Sequence, residues 1–408
     1  MKRRTPHLAP RILGIALSVL AIGIATLHSA GTELPPGWTL ALVAGDEALA
    51  EVVQNVLLFI PFGVALALAG WPTTALRLVA LGTVLSFCVE FAQQWIPGRD
   101  PSLGDLVFNT LGTALGLFLV RRAHWLSPTA PRAAWRSLAV ALGAAAVWLG
   151  TGWLIHPTFP ASTYVDRWTP DIPHWALYRG QVLSAALGTT PLAQHPIPGS
   201  ELRHTFLDAR GRLRVLAVAG PAPPRPAPVL AIDDIHGRDV LVLAVDGADV
   251  VLRPHNHAAE WTLARPNLRV AGGLAGIAPG DTFALSTWRD RLGYCVAQGA
   301  RPWCRLWYTL GDGWRLIFFP QHFPATWLLA LNALWIAGWT FGVGWWARPH
   351  LATFAALGVT AAVLLAGPGL VGLLATPGTE ILGGVAGVVG GWLAQKFLRF
   401  AQRAALSS

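Results

Sequence analysis

The chain is a series of apolar runs long enough to cross a bilayer, and one joint between them is charged. Such runs lie near 11–29, 51–70, 75–96, 104–121, 134–155, 325–347, 351–373 and 379–398. Each approaches the roughly 20 residues a transmembrane helix needs. In hydrocarbon every backbone N–H and C=O must be paired within the segment, so runs of this length fold as helices. About eight membrane helices are therefore predicted, the fourth of them short and rich in glycine. Only 12% of the 408 residues are charged and 53% are hydrophobic, far from the balance of a soluble domain. The net charge of +9 would suit nucleic acid, but many of its arginines flank apolar runs, where basic residues orient membrane helices.

Their distribution sets a topology. If "MKRR" is cytoplasmic, so are "RRAHWLSPTAPRAAWR", "WARPH" and "KFLRFAQRAALSS", whereas the first opposite loop, "GTELPPGWTLALVAGDEALA", has no basic residue. The first run has the basic start of a signal peptide and even an "HSA" ending like a cleavage site, but its length favours an uncleaved helix. Both termini are expected in the cytoplasm. Residues 156–324 are then periplasmic or extracellular.

That long middle segment has another texture. Short alternating runs such as "LRHTFLDARGRLRVLAVAG" and "PVLAIDDIHGRDVLVLAVDGADVVLRP" are separated by "HGRD", "VDGADV" and "GDGW", the punctuation of hairpins. The fold class expected is thus multi-domain: a polytopic α-helical membrane protein with an inserted all-β sandwich. Its parts are 1–155 with five helices, 156–324 as the β domain, and 325–408 with three helices. The strand spacing weakly resembles concanavalin-like or laminin-G-like jelly rolls. Cys295 and Cys304 in "GYCVAQGARPWCRL" bracket a turn, and two readings stand: a disulfide across a hairpin, which needs an oxidising compartment, or two free thiols. Cys88, inside an apolar run, reads as a reduced packing residue.

The charged joint is "CVEFAQQWIPGRDPSLGDLVFNTLGTALG", residues 88–116. Ionisable groups inside membrane helices are costly, so each requires a reason. Glu51 and Asn55 lie four apart, Glu90 and Gln93 three apart, Asp105 and Asn109 four apart, and each pair shares a helix face. The topology brings all three pairs to the outer leaflet, with Arg99 in the loop beside them. Two readings are open: a polar pocket facing outward, or a purely structural set. In the second, Asp105 complements a helix N-terminus capped by "SLGD", the asparagines bridge helices, and Arg99 staples its loop to Glu90 or Asp105.

These residues resemble the VanZ-like family. "NVLLFIPFG" followed by "VEFAQQWIPGRDPSLGDLVFNTLGTALG" carries its pattern at Asn55, Phe59, Pro61, Phe62, Gly63, Glu90, Gln93, Arg99, Asp105, Asn109, Thr110 and Gly112. The likeness covers about 51–121. It implies a bacterial protein of the inner membrane related to teicoplanin (glycopeptide) resistance proteins. The ligand-binding candidates come from the outward polar pocket: Asn55, Glu90, Gln93, Arg99, Asp105 and Asn109, supported by Glu51, Pro61, Gly63 and Gly112. A fainter internal echo relates "GTEILGGVAGVVGGWL" to "GDLVFNTLGTALGLFL", with Glu380 at the place of Asp105, Gly387 at that of Gly112 and Gly384 at that of Asn109; a degenerate repeat and the plain recurrence of small residues at packing faces both stand as readings.

Three functions follow from these residues. The favoured one is non-catalytic binding of a glycan or lipid-linked envelope component at the outer leaflet, with Arg99 meeting phosphate or carboxylate. An enzyme would use Glu90 or Asp105 as general base, yet no Ser-His-Asp set or metal-ligand spacing accompanies them. A transporter would place its acids at the midplane rather than near one face. His255 and His257 in "PHNHA" lack a third metal ligand. Asp233, Asp234, Asp239, Asp246 and Asp249 read as turn residues before they read as a calcium site. "WALYRGQ" and "RLWYTLGDGW" offer aromatic platforms for sugar or, equally, core. No metal and no cofactor is expected. The partners expected are membrane lipids and a lipid-linked or cell-wall glycan, with no nucleic acid.

Overall fold

The computed structural model describes residues 8–29, 34–43, 45–128, 132–159, 162–172, 175–192, 196–207, 211–291, 293–318 and 325–407. The basic start "MKRR" and the last residue of "HSA", used above to orient the first helix, lie outside them. The chain divides into two compact units, Met1–Ala133 and Ala134–Ser408.

The first unit contains α1 (Leu8–Thr26), α2 (Ala48–Ala69), α3 (Ala75–Gln93) and α4 (Leu103–Arg121). Local signals fix their ends. Gly70 terminates α2 in the left-handed conformation at φ 64°, which glycine adopts without a Cβ clash. Thr74 caps α3, and Ser102 caps α4 by accepting the Asp105 N–H at 2.9 Å, one of the donors a helix start leaves unpaired. Ile22, Phe59, Phe62, Leu66, Leu78, Val89 and Leu117 form one core drawn from all four helices.

The crossing of α2 and α4 is close because it is built from glycine. A Cβ on Gly63 would lie 2.2 Å from the Thr113 carbonyl oxygen, one on Gly112 2.3 Å from that of Val56, and one on Gly116 2.3 Å from that of Ile60. Small residues let membrane helices approach backbone to backbone, where dispersion replaces the missing hydrophobic drive. Pro61 lies on the exposed face of α2. Cys88 is free and exposed on α3, so it is not a packing residue.

The second unit opens with α5 (Ala133–Ile155) and closes with α8 (Ala325–Trp345), α9 (Leu351–Leu370) and α10 (Gly378–Ser407). Ala141, Val343 and Ala356 join α5, α8 and α9. Among the described residues seven helices are long and apolar enough to cross a membrane, namely α2 to α5 and α8 to α10. The expected eighth, α1, has 19 residues, with Ile12–Thr26 as its described apolar stretch.

Between α5 and α8 lies the β domain. Its strands are β1 (Thr163–Trp168), β2 (Gln181–Leu187), β3 (Thr190–Leu192), β4 (Pro196–Pro198), β5 (Leu213–Val218), β6 (Ala227–Asp234), β7 (Asp239–Asp246), β8 (Asp249–Pro254), β9 (Leu268–Val270), β10 (Thr282–Asp290), β11 (Gly293–Gln298) and β12 (Arg301–Leu306). Two short helices, α6 (Gly199–Phe206) and α7 (His257–Glu260), and a 3-10 turn over Leu310–Leu316 complete it. The strands form two six-stranded sheets, ordered β4-β1-β6-β7-β8-β9 and β12-β11-β10-β5-β2-β3, with antiparallel pairing between neighbours.

The sequence explains the difference between the sheets. "APVLAIDD" and "DVLVLAVD" are apolar at consecutive positions, and β6 and most of β7 are buried on both faces. One face packs Ala231, Val242, Ala244 and Val251 against Trp175. In the second sheet β5 alternates, with Leu213, Val215 and Ala217 buried and Arg214 and Leu216 exposed. One covered face and one open face are what an antiparallel sheet in a sandwich presents.

Cys295 and Cys304 form a disulfide between β11 and β12. The pairing shifts register between Tyr294 and Val296, so two residues of β12 face one of β11. Arg305 takes the left-handed conformation there, at φ 59°. This is a β-bulge beside the bridge.

The acids singled out above are held by arginines. Arg167 meets Asp233, Arg238 meets Asp234 at 2.7 Å, and Arg253 and Arg265 meet Asp239 at 2.8 and 3.0 Å. Arg269 joins Asp246 at 2.5 Å to Asp249 at 2.8 Å. Paired guanidiniums thus occupy the carboxylates a calcium ion would need. The aromatic platforms are likewise engaged: Trp175, Tyr178 and Tyr308 are buried, and the Trp307 indole donates to the Gly372 carbonyl at 2.8 Å.

Candidate functional site

The polar residues of the first unit gather where α2, α3 and α4 meet the loop 94–102. Asn55 donates its amide to Asp105 Oδ1 at 2.5 Å, joining α2 to α4. Glu90, 2% exposed, accepts the Ser102 N–H at 3.1 Å, joining α3 to the cap of α4. Ser102 therefore serves two carboxylate-bearing helices at once, its hydroxyl capping Asp105 and its amide answering Glu90. One turn deeper, Asn109 donates to the Ser86 hydroxyl at 3.0 Å. Its own carbonyl oxygen, Oδ1, is buried with no hydrogen-bond partner among the described residues. Leaving such an acceptor unpaired costs about 1–3 kcal/mol, and most buried polar atoms avoid it.

Arg99 and Gln93 make a different arrangement from the loop staple expected. Arg99 donates through Nε to the His28 carbonyl at 3.0 Å and through Nη2 to that of Ala25 at 3.1 Å. The same Nη2 lies 3.0 and 3.1 Å from the two ring nitrogens of His28. Gln93 donates to the Thr26 carbonyl at 3.2 Å. These carbonyls close α1, where the last C=O groups have no helical partner and a cation opposes the helix dipole. Burial lowers the Arg99 pKa, and the Glu90 charge works against that shift. Among the described residues Arg99 forms no ion pair with Glu90 or Asp105. The arginine ties α1 to the site rather than clamping its own loop.

Glu51 sits on an exposed face one turn before Asn55. Gly63 and Gly112 work below the polar layer, bringing α2 and α4 together. The structure thus unites Asn55, Glu90, Asp105 and Asn109 with Ser102, sets Arg99 and Gln93 against α1, and leaves Glu51 and Pro61 on exposed faces. Ser86 had gone unnoticed. It lies four residues before Glu90 and seven before Gln93, which is the spacing of one helix face, but a lone serine in an apolar run attracts little notice.

Among the described residues no group of three or more His, Cys, Asp or Glu could hold a metal. His255 is buried, with Nδ1 3.2 Å from the Thr158 carbonyl, while His257 stacks on Trp153 at 4.7 Å.

Long apolar helices carrying a converging carboxylate–amide layer define a polytopic helical membrane protein, here with an inserted β domain. Residues 16–125 match the VanZ/LLP1 family model, so the chain carries a VanZ-like domain formed by its first four helices. No curated protein and no solved structure matches the chain.

Proposed function

We propose that the VanZ-like domain binds a glycan or lipid-linked component of the bacterial cell envelope, in the manner of a receptor rather than an enzyme. The observation that carries this reading is the Asn109 carbonyl oxygen, buried and unpaired beside the Asn55–Asp105 and Glu90–Ser102 bonds. A hydroxyl or amide N–H from a ligand would satisfy it. Three apolar helices bearing acids and amides at one level are expensive to keep in a membrane, and recognition of sugar hydroxyls would repay that cost.

In this reading the chain spans the bacterial inner membrane with both termini cytoplasmic. The β domain then lies in the periplasm or outside. The Cys295–Cys304 bridge supports an oxidising compartment for that domain. The family match to residues 16–125 relates this domain to glycopeptide (teicoplanin) resistance proteins, which is compatible with a role at the cell envelope.

Native mass spectrometry of the full chain, beside Arg99→Ala, tests the reading. Arg99 acts as a positioning residue by holding α1 over the site. The wild type is expected to retain an isoprenoid-linked or glycan-bearing lipid that the variant loses. Identical complements of ordinary phospholipid on both proteins would overturn it.

A further inference from the structure

The α2–α4 crossing of the first unit and the α8–α10 crossing of the second share one geometry. At the α2–α4 crossing a Cβ on Gly63 would meet the Thr113 carbonyl oxygen, and at the α8–α10 crossing a Cβ on Gly344 would lie 1.9 Å from that of Val388. A Cβ on Gly112 would meet Val56 O and the Phe59 side chain, and one on Gly387 would meet Ala337 O and the Thr340 side chain. A Cβ on Gly116 would meet Ile60 O and Val64 N, and one on Gly391 would meet Phe341 O and Trp345 N. One fixed offset carries each α4 residue onto its α10 counterpart, and a second carries each α2 residue onto its α8 counterpart.

The same two offsets reach the polar layer. The first places Asp105 on Glu380, and the second places Glu51 on Asn332. In the first unit Asp105 accepts an amide from α2, and in the second Glu380 accepts the Asn332 amide from α8 at 3.3 Å. The segment before each inner helix also lies on the start of the later one. Thr39 pairs with Pro101 and Leu103 ahead of α4, and the Tyr308 carbonyl accepts the Leu374 N–H ahead of α10. The β domain therefore occupies the place that the short connection between α1 and α2 holds in the first unit.

Glu380 is 1% exposed and fully engaged. It accepts the Thr309 hydroxyl at 2.5 Å and the Gly311 N–H at 3.0 Å. Asn332 donates to Asp312 at 3.2 Å and accepts the Trp314 indole at 2.8 Å. Arg315 ties Asp312 at 2.9 Å to the Asn267 carbonyl of the β domain, also at 2.9 Å. Only glycine fits at 311, since a Cβ there would lie 2.4 Å from Glu380 Oε1 and 2.7 Å from Asn332 Cβ.

We infer that α5 and α8–α10 are a second, diverged copy of the α1–α4 unit, and that its carboxylate–amide site binds an internal ligand, the Thr309–Arg315 segment of the β domain. The ligand chemistry is explicit: a stretch of chain presenting hydroxyl and backbone N–H donors to a buried acid. Resting on the function proposed above, the first site takes the same class, neutral hydroxyl or amide donors, at Asp105 and Asn109.

Hydrogen exchange of the full chain in lipid nanodiscs tests this. Gly311→Ala and Glu380→Ala are expected to speed exchange across 308–316 about tenfold or more, because each removes or displaces a buried hydrogen bond. Gly338→Ala, where a Cβ meets open space, should leave that exchange unchanged, and helix exchange reports whether each variant is folded. Unchanged exchange at 308–316 in folded Gly311→Ala and Glu380→Ala would overturn the internal ligand. Gly63→Leu and Gly344→Leu should disrupt their crossings alike, and tolerance of Gly344→Leu alone would overturn the second copy. Lipid retention at the first site is read separately, so a failure of the proposed function would leave this exchange result intact.

Discussion

Asp239 shows how the sequence supplies both a charge and its answer. Burial opposes ionisation, but Arg253 and Arg265 outweigh it and bring the carboxyl from 3.8 to about 2. A carboxyl whose folded pKa is depressed contributes stability that is present above the unfolded value near pH 4 and lost as pH falls toward 2. The shift corresponds to about 2 kcal/mol. Asp239→Asn should therefore lower the thermal midpoint of the full chain at pH 7 and make little difference near pH 2. An equal loss at both pH values would contradict the ion-pair origin. At this scale the site was largely legible, because acids and amides in apolar helices stand out against a uniform background. What could not be read was direction. Arg99 could answer several nearby groups, and spacing alone does not tell a loop carboxylate from the carbonyls at the end of a neighbouring helix. Ser86 escaped for the opposite reason, since serine is common at helix packing faces.

Helices were more legible than strands. Each apolar run became a helix because hydrocarbon allows no other open chain. In the β domain, the hairpins β6–β7 and β7–β8 were signalled by "HGRD" and "VDGADV", while "GDGW" lies in the 3-10 turn over Leu310–Leu316 instead of a hairpin; the order of strands across a sheet depends on contacts distant in sequence, which alternation does not encode. The Cys295–Cys304 bridge joins residues 9 apart across one hairpin. Closing so short a loop restricts the unfolded chain by about 2–3 kcal/mol. Cys304→Ser should lower the unfolding temperature of the β domain and abolish its sensitivity to reductant. A variant as stable as the oxidised wild type would contradict that role. The bulge at Arg305 was not foreseeable, because strand alternation does not encode a local register shift.

At the scale of the whole chain, a VanZ-like helical unit is followed by a second helical unit with a β domain set into its first connection. The faint sequence echo between the fourth and last apolar runs fits the second copy inferred above. The rest lay hidden because close helix crossings ask only for small residues at set positions and tolerate change elsewhere. The central claim is that the polar layer of the first unit is kept for a ligand and not for packing. Thermal unfolding of the delipidated wild type and of Ser86→Ala/Asn109→Leu tests it most directly, each with and without an isoprenoid pyrophosphate-linked disaccharide. Replacing both partners by apolar groups removes the bond without leaving an orphan, and apolar replacement at a binding site commonly stabilises the empty protein. The account predicts a variant at least as stable as the empty wild type that gains nothing from the glycolipid, while the wild type gains a few degrees by binding. A variant markedly less stable, with a wild type indifferent to the glycolipid, would mean that the polar layer is packing alone.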